Sequence, residues 1–209
     1  MSRIPLLIFP YNGNGLEALD CLGEQFELIG FVDDTPEKQG LSPWGHSIFS
    51  RKALEDFPAA QVLAVPGSPT SFPMRQQIIE QLGIPPERFA TVIHPSAQIS
   101  QRAHVGRNVL IMANVVLCGN ASVGDHCVIL PQSVVHHDSS VGDYTLMGSG
   151  VIVAGYSHIG RSCYIGSRTS ISNFVTIADQ TLVGIGSNVL KPITERAIVA
   201  GNPAKPIQK

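Results

Sequence analysis

Charge is scarce in this 209-residue chain: 14 Lys plus Arg and 16 Asp plus Glu make up 14% of it, where roughly 25% is usual. The signs nearly cancel, to a formal −2, and no run of Lys or Arg occurs. The electrostatic footprint of a nucleic-acid or anionic-membrane binder is therefore missing, and partners are expected to be small molecules or further copies of the chain. No stretch approaches the ~18 apolar residues of a membrane span. The opening Met1-Ser2-Arg3-Ile4-Pro5-Leu6-Leu7-Ile8-Phe9-Pro10 is too short for a signal h-region, so a cytoplasmic location is expected. The four cysteines, Cys21, Cys118, Cys127 and Cys163, form no C-x-x-C pair and lack metal-ligand spacing, which points to reduced structural thiols.

What the chain has instead is a period. Stepping by six from Ile93 lands on Ile99, Val105, Ile111, Leu117, Val123, Ile129, Val135, Val141, Met147, Val153, Ile159, Ile165, Ile171, Ile177, Val183 and Val189. If about a third of residues would pass by chance, seventeen aliphatic successes have a probability on the order of one in a hundred million. Four residues after each stands a small or β-branched residue, from Ala97 and Ala103 through Cys127, Ser133 and Ser139 to Thr181 and Ser187. One large and one small inward residue per hexad suits a triangular parallel β-helix, each hexad supplying a short strand and a tight corner, with between five and six coils. Gly106, Gly124, Gly142, Gly160, Gly166 and Gly184 follow the aliphatic residue directly, where neighbouring backbones approach closely. Only nine charged residues fall between 93 and 194. A surface so poor in charge implies burial against other copies, and three prisms pack naturally about a threefold axis.

Residues 1–92 carry 17 of the 30 charges and no hexad register. Alternating signals predict a small α/β domain with a Rossmann-like βαβ unit: a strand over 4–9, a turn at Pro10-Tyr11-Asn12-Gly13-Asn14-Gly15, a helix over 16–22 and a strand over 26–32 ending at Asp33-Asp34. A third strand over 61–65 and a helix over 73–82 follow. The glycine loop can offer N–H groups to a phosphate, and the acidic pair can accept from sugar hydroxyls, although the same residues also make an ordinary turn and strand end. The unit is too short for nicotinamide chemistry.

Within the hexads, His136-His137-Asp138 places a carboxylate beside an imidazole on the outer face. Such a pair has the tautomer control a general base needs, while a plain interfacial hydrogen-bonding role is the alternative. Zinc on a β-helix needs converging histidines; His94, His104, His126, His136, His137 and His158 form no H-x-x-x-x-H pair, and no metal is expected.

The glycine loop, Phe31-Val32-Asp33-Asp34, Ile93-His94-Pro95-Ser96-Ala97, His137-Asp138 before Val141-Gly142-Asp143, the Ala154-Gly155 step and the closing Val199-Ala200-Gly201-Asn202-Pro203-Ala204-Lys205 together resemble one family over nearly the whole chain. It is the nucleotide-aminosugar N-acetyltransferases of the left-handed β-helix superfamily, similar to the sialic-acid O-acetyltransferase-like proteins. The resemblance implies a left-handed β-helix over 93–209 and a sugar-nucleotide-binding domain over 1–92. It also implies a homotrimer and acetyl-CoA in the groove between adjacent β-helices. The residues it implies for the groove are Gly155, Ser167, Ile185 and Lys191. Gly13, Asn14, Gly15, Asp33 and Asp34 would bind a nucleotide-linked 4-amino-4,6-dideoxy sugar, His137 would accept the proton of the attacking amine, and Asp138 would tune it. The chain departs from the family pattern at Asn14, Leu130 and Leu146, where His, Asn and His are usual. These departures weaken assignment to one sugar. O-acetylation of a sugar such as sialic acid, and a non-catalytic trimeric scaffold, are the competing functions.

Overall fold

The computed structural model describes residues 3–207; the first two and last two residues of the expected domain ranges lie outside it. In the first unit, β1 (Ile4–Phe9), β2 (Phe26–Val32), β3 (Gly40–Leu41), β4 (Ser47–Phe49) and β5 (Gln61–Ala64) form one sheet in the order β3-β4-β2-β1-β5. It is parallel except for the β3–β4 pair. Its helices are short: α1 (Gly13–Glu17), α2 (Ala53–Asp56) and α3 (Arg75–Glu80), with 3₁₀ turns at Ala18–Cys21 and Phe72–Met74.

The first helix begins three residues before the expected Leu16. Asn12, in extended conformation, caps it by accepting the Gly15 N–H at 2.8 Å, so the glycines form its first turn rather than a preceding loop. The expected helix over 73–82 likewise begins as a 3₁₀ turn containing Pro73 and runs as α-helix only from Arg75 to Glu80.

From Val92–Ile93 the chain winds into a parallel β-helix in which, as far as Asn188–Val189, each strand pairs with the one 18 residues on. Three faces result. The first carries the pairs from Val92–Ile93 to Leu182–Val183, continues to Ile198–Ala200 and ends on the antiparallel Lys205–Pro206; the second runs from Gln98–Ile99 to Asn188–Val189, and the third from His104–Val105 to Thr176–Ile177. All the aliphatic hexad positions from Val123 to Val189 are buried, and they fill the prism.

The small inward residues do more than fit the corners. Ser139 Oγ donates to Ala154 O and accepts from Ser157 N, and Ser133, Thr145 and Ser157 repeat the pattern, stitching coil to coil where the strands end. Cys127 and Cys163 take equivalent places, their thiols against Gly142 O and Ala178 O, and burial pushes them up to about 12 and about 11. The glycines after the strands are sterically required: a Cβ on Gly124 would meet Asp143 Oδ1 at 2.2 Å, the oxygen that accepts the Asp125 N–H.

At every sixth residue from 108 to 186 the backbone is left-handed, and twelve of these fourteen corners are not glycine. Asn108, Asn114, Asn120 and Asp138 tolerate that conformation; Tyr144, Tyr156 and Phe174 are bulky residues for which it is costly.

The first unit lies on the first face. Leu6, Ile8, Phe31 and Leu63 pack with Leu110, Met112, Val128 and Leu146 in one apolar cluster, so the chain itself covers one of the three charge-poor faces. The second face keeps Val116, Val134 and Ile152 in line, the last 42% exposed, while the third presents His104, Ser122, Ser140, His158 and Thr176.

Candidate active site

His137 stands on the edge between the second and third faces. Its Nδ1 is 2.9 Å from Asp138 Oδ2, and the other carboxylate oxygen, Oδ1, accepts from Asn120 Nδ2 at 2.9 Å one coil away. Hydrogen bonds from Asn120 and His137 hold the Asp138 carboxyl below its ordinary value, so it is an acceptor only. A neutral imidazole beside it must carry its proton on Nδ1, which leaves Nε2 with a lone pair. Asp138 owes its position to the corner: its left-handed φ of 57° turns the carboxylate back along the edge. The neighbouring His136 makes no side-chain hydrogen bond among the described residues.

Gly155 lies one coil on from His137. A Cβ there would sit 2.9 Å from both Cε1 and Nε2 of the imidazole, so the ring occupies the space the glycine leaves. Gly155 O accepts from Phe174 N and Asn173 Nδ2, while its N–H has no partner among the described residues. A lone-pair nitrogen and a free N–H thus sit together on the edge. Lys191 follows on the same edge, two coils beyond Gly155 and beside a cleft of about 580 Å³ that Arg196 and Lys205 also line.

Ser167 and Ile185 are elsewhere. They stand on the edge between the first and second faces, Ser167 Oγ holding the Ser149 N–H at 3.1 Å and Ile185 75% exposed. A single subunit therefore does not bring the four groove residues together.

The expected substrate residues also divide. Gly13 and Asn14 line a cavity of about 480 Å³ with Gly67, Ser68 and the apolar Leu130, Leu146 and Tyr164. The three departures from the family pattern, Asn14, Leu130 and Leu146, thus share one wall. Gly15 does not serve as a free N–H donor: it is buried, its amide is bound to Asn12, and a Cβ would meet Pro10 O at 2.6 Å. Asp33 is likewise taken up internally. Only 2% exposed, it accepts from Tyr11 N, Thr35 N and Lys38 Nζ. Burial raises its carboxyl, but the Thr35 and Lys38 hydrogen bonds and the lysine charge outweigh that and leave it below its ordinary value. Asp34 is half exposed and bidentate to Arg51, at 2.6 and 2.8 Å, in a separate cleft of about 390 Å³.

Sequence reasoning missed Gly67, Ser68 and Ser71 on the cavity wall, although Gly67-Ser68-Pro69-Thr70-Ser71 carries the turn residues of a loop facing Asn12–Asn14. Among the described residues, no three or more His, Cys, Asp or Glu side chains come together as a metal site, and no helix is long and apolar enough to cross a membrane.

A family model described as the GMPPB C-terminal domain matches residues 89–192. No curated protein matches the chain significantly. The acetyltransferase domain of PglB from Neisseria gonorrhoeae FA1090, in complex with acetyl coenzyme A, superposes with a TM-score of 0.85 at 25% identity over 99% of this chain and 100% of that one. Both units of this chain are thus similar to an acetyltransferase domain that holds acetyl coenzyme A. PerB from Caulobacter crescentus, in complex with CoA and GDP-perosamine, shares the fold at TM-score 0.82 and 22% identity, covering 100% of this chain and 99% of PerB. WeeI from Acinetobacter baumannii AYE does so at 0.82 and 23%, covering 99% and 100%. These likenesses of fold also extend over both units of the chain.

Proposed function

We propose that this acyltransferase moves the acetyl group of acetyl-CoA to the amine of a nucleotide-linked amino sugar by direct transfer, with His137 as general base. The observation that carries the reading is the pairing of His137 Nε2, left with its lone pair by the Asp138 contact, with the unpartnered Gly155 N–H beside it. The bound ligands named for the PglB domain and for PerB support it.

An amine attacks a thioester only through its nitrogen lone pair. As the N–C bond forms, the amine proton passes to His137 Nε2, the carbonyl oxygen gathers negative charge that the Gly155 N–H can stabilise, and the C–S bond then breaks to release the thiolate. The proton on the imidazole is available to that thiolate, so no acyl-enzyme is required. Asp138 stabilises the imidazolium formed on the way.

The working unit is a homotrimer in this reading. The cavity holding Gly13 and Asn14 includes Leu130, at the edge between the first and second faces, where Ser167 and Ile185 also stand. His137, Gly155 and Lys191 occupy a different edge. Setting that edge of one copy against the first-second edge of the next assembles all of them in one groove and covers the apolar second face. Sedimentation equilibrium should return three times the 22.3 kDa chain mass; a stable monomer at micromolar concentration would separate base from substrate cavity.

The direct test of the reaction is incubation with acetyl-CoA and UDP-, dTDP- and GDP-linked amino sugars, followed by thiol release. Turnover with one amine is expected. Turnover only with a hydroxyl acceptor would make this an O-acetyltransferase, and no turnover at all would leave a trimeric scaffold.

Gly13 offers a selective probe of the cavity. A Cβ there meets nothing within 4 Å, so Gly13→Ala should leave the free protein's stability unchanged. We expect its KM for the sugar nucleotide to rise about tenfold, with that for acetyl-CoA unchanged, because a methyl blocks close approach to the backbone. Equal changes in both constants, or none, would remove the loop from the substrate site.

A further inference from the structure

The edge that carries His137 also carries two aromatic rings that the mechanism above does not use. Tyr156 and Phe174 stand 18 and 36 residues beyond Asp138, at successive corners of the same column as Asn120. Their rings are parallel, 1° apart in tilt, with centroids 5.2 Å apart, and they are 47% and 71% exposed. Both occupy the left-handed conformation, φ 58° and 63°, that asparagine tolerates far better. Tyr144, the other aromatic at such a corner, is explained by stacking on His126 at 4.6 Å under the first unit. No comparable burial accounts for Tyr156 or Phe174.

Tyr156 makes one contact that does. Its ring meets the His137 imidazole edge-on, centroids 5.1 Å apart at 87°. The imidazole is thus held by Asp138 at Nδ1 and by the tyrosine ring, over the gap at Gly155. Since 52% of the His137 side chain is exposed, an imidazole held by the single Asp138 hydrogen bond would be free to turn out into solvent.

We infer that Tyr156, backed by the stacked Phe174, is a positioning residue that confines the His137 imidazole to the orientation in which Nε2 lies over Gly155. The inference rests on His137 being the base. It acts on the pre-arrangement of the base and not on either substrate's binding, so its signature is a fall in kcat with both KM values held.

The decisive variant is Tyr156→Asn, which removes the ring and places at that corner the residue the chain already uses at positions 108, 114 and 120. It should fold and assemble normally, with thermal stability equal or higher. Its kcat should fall about ten- to a hundredfold, as expected when a catalytic group loses its geometry. The His137 Cε1–H resonance, assigned by its disappearance in His137→Asn, should move. Tyr156→Phe keeps the ring and should restore both kcat and the resonance; the tyrosine hydroxyl makes no hydrogen bond among the described residues. Phe174→Asn should show a smaller loss.

Unchanged kcat and an unmoved resonance in Tyr156→Asn would overturn the inference. So would a raised KM for acetyl-CoA at constant kcat, which would make the ring a substrate contact, or loss of the assembly, which would make it a subunit contact. Full activity in His137→Asn would instead remove the base while leaving the resonance measurement to report on the ring, so the two readings fail separately.

Discussion

His137→Ala should lower kcat by about 10² to 10⁴, the usual contribution of general-base catalysis, with the assembly intact. The imidazole is exposed and makes no core contact, so truncating it leaves no cavity and no buried polar group unpaired. The whole effect should therefore fall on the chemical step. His136→Ala should be nearly silent, because that imidazole neither meets a carboxylate nor overlies Gly155. Asp138→Asn should cost less than His137→Ala. The amide keeps the shape and the Asn120 contact but loses the charge that fixes the tautomer and supports the imidazolium. Steady-state kinetics on the three variants check the assignment, and an exchange of behaviour between the two histidine variants would sink it.

The hexads were legible because each repeats the same demand, a large residue within the prism and a small one at the corner, so seventeen weak signals add. His137-Asp138 was legible because both partners are adjacent in sequence and the corner turns both outward. Gly155 is expected in the groove only through the resemblance, and the structure adds the reason a Cβ is excluded there. In the first unit no period averages out local ambiguity. Asp33 and Gly15 have the residue types of a phosphate and sugar site, yet both are consumed in building it: Asp33 ties Tyr11 to Thr35 and Lys38, and Gly15 closes the Asn12 cap. Nothing local distinguishes a carboxylate that holds a loop from one that holds a ligand. Tyr156 and Phe174 carried a signal that was available, since bulky aromatics stand at hexad corners that, Tyr144 apart, otherwise take glycine or a polar residue. Reading it requires knowing that this corner is left-handed.

Arg75 was beyond sequence reasoning altogether, and its removal should have the largest effect on stability. The side chain is fully buried and its donors reach only backbone carbonyls: Nε to Tyr144 O at 3.0 Å, Nη2 to His126 O at 2.6 Å, and Nη1 to Pro66 O. Partners 51 and 69 residues away leave no local trace. Burial lowers the guanidinium to about 10, so it is still charged at neutral pH. One cation thus joins the Pro66–Gly67 turn of the first unit to two corners of the β-helix. Gly67, with φ 123°, is shaped around it, since a Cβ would lie 2.8 Å from Arg75 Cδ. Arg75→Met keeps much of the volume and relieves the burial of a charge, but leaves three carbonyls without these donors, each costing about 1 to 3 kcal/mol. The carbonyl losses should win, giving about 3 to 5 kcal/mol net and a Tm lower by about 10 °C at this chain length. Arg75→Lys should recover little, because one ammonium cannot span three acceptors. Gln77→Ala, exposed on the same helix, should stay within about 0.5 kcal/mol. Because Gly67 and Ser68 line the cavity with Asn14 and Leu130, Arg75→Met should also raise the sugar-nucleotide KM before it affects acetyl-CoA. Thermal and urea unfolding of the three variants measure the first effect, and an Arg75→Met protein as stable as the parent would show that the guanidinium only fills space.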